Sequence, residues 1–154
     1  MRLPRADRAV TPGLQRSVLG PILAHLEASY PEEGCGLVFR GSAGLRVEWF
    51  DNACGGLAGL RGNSYELDPR QWLSAMIQAS DRGEALAFIF HSHCDAPAAF
   101  SAMDSLRAAP GGHLLFPGTA YLVVAVRAGQ ATEARLARWD GSQFVETEVS
   151  VKLE

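Results

Sequence analysis

Residues 85–104 read ALAFIFHSHCDAPAAFSAMD, an apolar run followed by polar residues whose side chains bind metals. The continuous apolar run at residues 85–90 predicts a strand buried on both faces. It delivers His91, Ser92 and His93 at its end. Successive side chains on a strand alternate between faces, so His91 and His93 share one face. Two histidines at the end of a buried strand need partners, because unpaired buried polar groups are costly.

The second half of the pattern is a short helix predicted for residues 101–108. Ser101 and Asp104 are three residues apart on it and therefore share a face. The seven residues between His93 and Ser101 are enough to bring the chain back over the strand end. Two imidazoles and one carboxylate then converge, which is the ligand set of a catalytic zinc site with one open position. Alone, His-x-His is usually incidental, and Ser-x-x-Asp is a helix capping box.

Water bound at such a site still needs a carboxylate outside the metal ligands to accept its proton. Glu32 and Glu33 lie in the segment PEEGCG, residues 31–36, just before a strand predicted for residues 35–40. One of them reaches the bound water if this strand lies beside the one that ends at His91. Spacing does not choose between them, and two adjacent glutamates are most often a solvated helix end.

Helices and strands interleave along the rest of the chain. This predicts one domain over residues 1–154, of the α/β (mixed α+β) class, with a central mixed β-sheet flanked by helices. Other helices are predicted at residues 14–29 and 68–81, and other strands at residues 45–51, 120–127, 133–139 and 143–152, the last two forming a terminal hairpin around Asp140-Gly141.

The composition narrows the class of protein. The 154 residues are 47% hydrophobic and 20% charged with a net charge of −3, which predicts a globular chain with no affinity for nucleic acid. The three cysteines form no C-x-x-C pair, so neither a disulfide framework nor a thiolate zinc site is expected.

The charged N-terminus does not resemble a signal peptide, and the longest apolar run, residues 120–126, is too short to cross a membrane. We therefore expect a cytoplasmic protein that binds no membrane.

Taken together, these motifs resemble the JAMM/MPN (JAB) zinc metallopeptidase family. Its motif is an upstream glutamate, then His-(Ser or Thr)-His, seven residues, Ser, two residues and Asp, which residues 91–104 fit without a gap. Residues 31–37 resemble the family segment in which the catalytic glutamate lies two residues before Cys-Gly, and this selects Glu33. The resemblance covers roughly residues 18–126 and implies a cytidine-deaminase-like fold of compact bacterial type.

The resemblance also implies roles for individual residues. It assigns His91, His93 and Asp104 as the ligands of one Zn²⁺ per chain. Glu33 would be the general acid and base, and Ser101 would steady the oxyanion of the tetrahedral intermediate. Ser92, on the opposite strand face, is expected to be structural.

One position departs from the family pattern. Cys94 stands where proline usually follows the second histidine. Adjacent strand residues face apart, so Cys94 is expected to pack as a small buried residue and not to add a fourth ligand.

Members of this family cleave peptide or isopeptide bonds after the C-terminal Gly-Gly of ubiquitin-like proteins, and bacterial relatives process sulfur-carrier proteins. The resemblance thus implies a zinc-dependent peptidase or isopeptidase with such a protein as its partner. We expect the glycine-rich segment 54–63 to order against the tail, through Gly55, Gly56, Gly59 and Gly62.

The sequence bears on three other functions. A non-catalytic module that binds ubiquitin-like proteins and a cell-wall or phage-tail peptidase remain open. A nucleobase deaminase requires His-x-Glu and Pro-C-x-x-C, and neither occurs in the sequence.

Overall fold

The computed structural model describes residues 16–52 and 66–152. Along the chain, one helix precedes the first β-hairpin, a second follows it, and a third follows the strand that carries the histidines. The elements in chain order are α1 (Arg16–Ser29), β1 (Cys35–Gly41), β2 (Gly44–Phe50), α2 (Pro69–Asp81), β3 (Ala85–Cys94), α3 (Ala102–Ala108), a 3₁₀ turn (Pro110–Gly112), β4 (Ala120–Arg127), β5 (Gln130–Trp139) and β6 (Phe144–Val149).

The strands within these ranges form one six-stranded sheet in the order β2-β1-β3-β4-β5-β6. β3 and β4 are parallel, and the other neighbours pair antiparallel. The chain between β3 and β4 crosses one face of the sheet and carries α3, as a parallel connection requires. The predicted mixed sheet flanked by helices is confirmed.

Helices cover both faces of this sheet. α1 places Leu19, Ile22 and Leu26 on one face, where they pack with Phe90 and Leu122 in the first core cluster. α2 and α3 cover the other face, where a second cluster is centred on β1, β3 and β4. Ile89 belongs to this second cluster, so the side chains of residues 91 and 93 lie under α2 and α3, by strand alternation.

The strand that carries the histidines extends beyond its apolar run. The apolar run at residues 85–90 predicts its buried part, with the histidines at its end, and β3 continues through them to Cys94. Parallel pairing with β4 continues from Phe88–Ala120 to Cys94–Val126, so the backbone of the histidine segment is hydrogen-bonded in the ladder. The two imidazoles are therefore fixed by a central strand, and not by a loop.

The terminal hairpin differs from its predicted limits in both strands. β5 begins at Gln130 instead of residue 133, because Ala128 and Gly129, with φ of 49° and 82°, turn the chain tightly out of β4. β6 spans Phe144–Val149 and is shorter than the predicted 143–152. Within the described ranges no helix is long and apolar enough to cross a membrane.

Candidate metal centre

Three side chains from β3 and α3 converge beneath the helical layer. The Nε2 atoms of His91 and His93 are 3.2 Å apart. Asp104 Oδ1 lies 3.3 Å from His91 Nε2, and Asp104 Oδ2 lies 3.2 Å from His93 Nε2. His91 is fully buried and Asp104 is 7% exposed. The predicted ligand set is thus brought together in a pocket largely shielded from water.

The spacing of these atoms suits a small tetrahedral cation. Donors bound to zinc at about 2.0–2.1 Å and at tetrahedral angles stand roughly 3.3–3.4 Å apart. The two nitrogens and the carboxylate oxygens have nearly this separation. Imidazole and carboxylate donors with no thiolate are typical of catalytic zinc sites that keep one position for water. The group is therefore arranged to hold a metal ion, and its donor chemistry fits zinc.

The tautomer of His93 is set by a neighbouring carbonyl. Its Nδ1 lies 2.8 Å from the backbone oxygen of Pro97, which can only accept a hydrogen bond. Nδ1 must therefore carry the proton, and in the neutral ring the lone pair of Nε2 points toward His91 and Asp104. This is the usual way in which proteins orient a metal-binding histidine.

Burial and charge act in opposite directions on these groups. Burial lowers the pKa of His91, which keeps its imidazole neutral and able to bind a metal. Burial is the largest single effect on Asp104 and His93 and disfavours their charged forms, but the hydrogen bonds and charges around each together outweigh it. Hydrogen bonds to His91 and His93 hold the pKa of Asp104 well below its usual range, and hydrogen bonds to Asp104 and to the Pro97 carbonyl raise the pKa of His93. The centre therefore holds an ionised carboxylate beside two imidazoles before any cation arrives.

Ser101 and Asp104 form a helix cap, and Asp104 also faces the two histidines. Ser101 Oγ accepts from the Asp104 N–H at 3.0 Å, and Asp104 Oδ2 accepts from the Ser101 N–H at 2.9 Å. This reciprocal capping box begins α3. The cap also fixes the rotamer that turns the Asp104 carboxylate toward the histidines. The assignment of Ser101 to the oxyanion stays a prediction.

Glu33 lies across from His93. β1 pairs antiparallel with β3, with Cys35 opposite His91, and the Ser92 N–H donates to Gly34 O at 3.0 Å. Continuing this register places Glu33 opposite His93 and on the same face. The condition set by the sequence, that the glutamate strand lies beside the histidine strand, is met. Of the two glutamates, Glu33 is buried on this side of the sheet, while Glu32 lies in a bend and is exposed.

The surroundings of Glu33 change its acidity. Its side chain is only 6% exposed. Burial raises its pKa to about 7, with the negative charge of Asp104 adding to the effect while His93 and Arg107 oppose it. A carboxyl with this pKa exchanges a proton readily near neutral pH, as a general acid and base requires.

Asn52 holds the backbone of Glu33, and sequence reasoning missed it. Asn52 Nδ2 donates to the carbonyl oxygen of Glu33 at 3.0 Å, and Asn52 Oδ1 accepts from the Glu66 N–H at 3.0 Å. Asn52 also forms an isolated antiparallel bridge with Leu67. The amide therefore joins the Glu33 segment to the chain that leads into α2. Its only signal in the sequence is a polar residue immediately after a strand.

Two acidic side chains on the terminal hairpin hold the loop of residues 95–100, and these were also missed. The N–H of Phe100 donates to Glu146 Oε1 at 2.7 Å, and the N–H of Ala98 donates to Glu133 Oε2 at 3.4 Å. Arg135 pairs with Glu133 at 2.9 Å. Because Phe100 immediately precedes the N-cap of α3, this contact bears on where Asp104 is placed.

Ser92 and Cys94 lie within the described residues, and the four glycines predicted to contact the substrate tail do not. Ser92 is fully buried on the opposite face, where its Oγ accepts from the Gly34 N–H at 2.9 Å, which agrees with a structural role. Cys94 lies on that same opposite face, half-buried, and burial raises its thiol pKa to about 11. Gly55, Gly56, Gly59 and Gly62 lie outside the described residues.

Comparisons with known proteins agree with this geometry. The family described as prokaryotic homologs of the JAB domain (Prok-JAB) matches residues 15–140. The solution structure of protein DSY2949 from Desulfitobacterium hafniense is similar at 26% identity and a TM-score of 0.63, covering 91% of this chain and 92% of that one. The solution structure of a protein from Salinibacter ruber is similar at 29% identity and a TM-score of 0.55, covering 86% of each chain. No curated protein matches the sequence.

Proposed function

The chain belongs to the family of prokaryotic homologs of the JAB domain, and from this we propose that it is a zinc-dependent peptidase or isopeptidase. Its substrate would be a ubiquitin-like or sulfur-carrier protein, cut after the C-terminal Gly-Gly. The observation that carries the proposal is that Glu33, a buried carboxyl outside the ligand set, lies within electrostatic reach of His93 and Asp104, on the continuation of the β1–β3 register. A purely structural metal site has no need of such a group.

Each residue of the centre has a separate role in the proposed hydrolysis. His91, His93 and Asp104 would hold the zinc ion, which when bound lowers the pKa of water to about 7 and polarises a carbonyl. Glu33 takes the proton of the attacking water on a carboxylate oxygen and then delivers it to the departing amine. Burial raises the pKa of Glu33 in the metal-free protein to about 7, and a bound cation would shift it toward the ionised form that accepts the proton. Ser101 Oγ accepts from the Asp104 N–H, so its own proton is available to donate to the oxyanion.

A glycine tail suits a centre this deeply placed. His91 is fully buried, and Glu33 and Asp104 are each less than a tenth exposed. A substrate backbone must approach these groups closely, and residues without a Cβ can do so without a clash. The choice of a ubiquitin-like substrate otherwise rests on the resemblance to JAMM/MPN proteins, which cleave after the C-terminal Gly-Gly of such proteins.

The test pairs metal analysis with cleavage. The substrate is a β-grasp protein whose Gly-Gly is followed by a short extension. We expect the wild type to bind one zinc per chain and to cut after Gly-Gly. We expect Glu33→Gln to keep the zinc and lose about 10²–10⁴-fold in kcat. His91→Ala should lose both the bound zinc and the cleavage activity. A Glu33→Gln variant that cuts at the wild-type rate would show that the assigned base is wrong.

The same experiment separates the other functions. A zinc-loaded wild type that binds the β-grasp protein without cutting it would be a non-catalytic binding module. Cleavage of cell-wall peptides and not of the Gly-Gly precursor would indicate a cell-wall or phage-tail type of peptidase.

A further inference from the structure

A cavity of about 480 Å³ lies beside the metal centre, on the face of the sheet covered by α2 and α3. Its floor includes Ile89, which precedes the ligand His91 by two residues and points to the same face. One wall includes Ala108, which follows the ligand Asp104 by one turn of α3. The cavity therefore lies two residues along β3 and one turn along α3 from the metal ligands, on the same face of the sheet.

The opposite wall reaches the residues that hold the general base. Leu67 lines the cavity and forms the isolated bridge with Asn52, whose side chain binds the backbone of Glu33. The cavity therefore lies between α3 and the segment at Leu67 that pairs with Asn52. A molecule whose scissile bond lies at the metal would place its next groups here.

The lining is mainly apolar and well supported. Phe116 lines it and packs against Trp72 of α2, with the rings tilted by 36° and their centroids 4.8 Å apart. Leu115 lies at the opening and is 53% exposed. Glu66 and Arg107 supply the charged part of the lining. Apolar walls with a few polar groups at this volume are typical of ligand-binding pockets.

We propose that this cavity binds an apolar side chain on the leaving-group side of the scissile bond. The inference rests on the proposed function and extends it to substrate selection. If the acyl side ends in Gly-Gly, its last two residues have no side chain to fill a pocket that adjoins the centre. The first residue of the departing segment has a side chain that can fill this pocket. A leucine or phenylalanine there would cover Ile89 and Phe116 and gain the burial energy of an apolar side chain.

The test is a set of precursors that differ at one position. Each is a β-grasp domain ending in Gly-Gly-Xaa-Ser-Ser, with Xaa as Leu, Phe, Gly or Asp. We expect kcat/KM for Leu and Phe to exceed that for Gly and Asp by at least tenfold, as discrimination by an apolar pocket allows. Equal kcat/KM across the set would overturn the proposal. So would a preference that follows the residue before Gly-Gly and not the residue after it.

A pair of leucine variants links the preference to the cavity. Leu115→Asp places a charge at the opening and should reduce the Leu-to-Gly ratio at least threefold. Leu106→Asp is the matched control, since Leu106 is 58% exposed on α3 and lies outside the described lining of this cavity. It should leave the ratio unchanged. Equal effects of the two variants would overturn the assignment.

A binding measurement distinguishes failure of this inference from failure of the proposed function. The product tripeptide Leu-Ser-Ser is titrated into the zinc-loaded wild type, and the methyl resonances of Ile89 and Leu115 are followed by NMR. Shifts larger than those given by Asp-Ser-Ser support the pocket. Cleavage of all precursors without such shifts would leave the proposed function standing and the pocket wrong. If no Gly-Gly precursor is cut, the proposed function fails and this inference fails with it.

Discussion

The backbone N–H of Gly34 donates to Ser92 Oγ across 2.9 Å, in the buried space between β1 and β3. The N–H of Ser92 donates in return to the carbonyl oxygen of Gly34 at 3.0 Å. These two bonds extend the antiparallel ladder one step past the end of β1. They hold the register that places Glu33 opposite His93. The serine between the two histidines thus connects the candidate metal ligands to Glu33, the proposed general base.

Ser92→Ala should therefore destabilise the protein and impair turnover more than zinc binding. The Gly34 N–H loses its partner in a buried site, at a cost of about 1–3 kcal/mol. Urea unfolding measures the stability, and kcat is compared with zinc content. Ser80→Ala, an exposed serine on α2, is the control and should change neither. Stability and kcat equal to the wild type would show that the Ser92 hydroxyl does not hold this register.

Glu146→Gln should weaken zinc binding by a few-fold. The Glu146 carboxylate accepts the Phe100 N–H at 2.7 Å, just before the cap of α3, and a neutral amide oxygen accepts less strongly. Looser placement of α3 moves the Asp104 carboxylate relative to the histidines. Competition with a zinc chelator measures the affinity. Glu148→Gln on the same strand is the control, since no contact with residues 95–100 is recorded for it among the described residues. Equal zinc affinity in both variants would show that the anchor is not needed.

The contrast between Asp104 and Glu146 shows how far the sequence could predict this site. The ligands follow local periodicities, two residues on a strand and three on a helix, so spacing alone brought them to one point. Glu146 lies 46 residues from its partner Phe100, and only the order of the strands brings the two together. Asn52 depends similarly on the pairing of β1 with β2. Even the choice of Glu33 over Glu32 came from family resemblance, and its physical reason is that Glu33 is buried on this side of the sheet while Glu32 is exposed.

Asn52→Ala should lower kcat about fivefold, with KM and zinc content little changed. The variant removes the amide that holds the carbonyl of Glu33, and one such bond is worth about 1 kcal/mol. The ligands are untouched, so the zinc should stay. Steady-state kinetics with zinc analysis separates these effects. Asn52→Asp keeps the acceptor for the Glu66 N–H but loses the donor to Glu33, so it should resemble Asn52→Ala. Wild-type kcat in Asn52→Asp would show that the donor to Glu33 does not position the base.

The metal-free protein should lose stability as the pH rises from about 4.5 to about 7, relative to Glu33→Gln. Burial raises the pKa of Glu33 from 4.5 to about 7 on folding. Within that window the unfolded chain has released this proton while the folded chain retains it, so raising the pH favours unfolding. Below pH 4.5 both states are protonated, and above pH 7 both are ionised, so the difference is constant outside the window.

Urea unfolding of the two chelator-treated proteins between pH 4 and 8 measures this difference, since the other titrating groups are shared and largely cancel. The free energy of unfolding of Glu33→Gln minus that of the wild type should grow through the window and then level off. Bound zinc should reduce the change, because a nearby positive charge favours the ionised carboxylate. Parallel curves for the two metal-free proteins would mean that Glu33 ionises at its ordinary pKa. Its role as a proton shuttle near neutral pH would then lose its electrostatic basis.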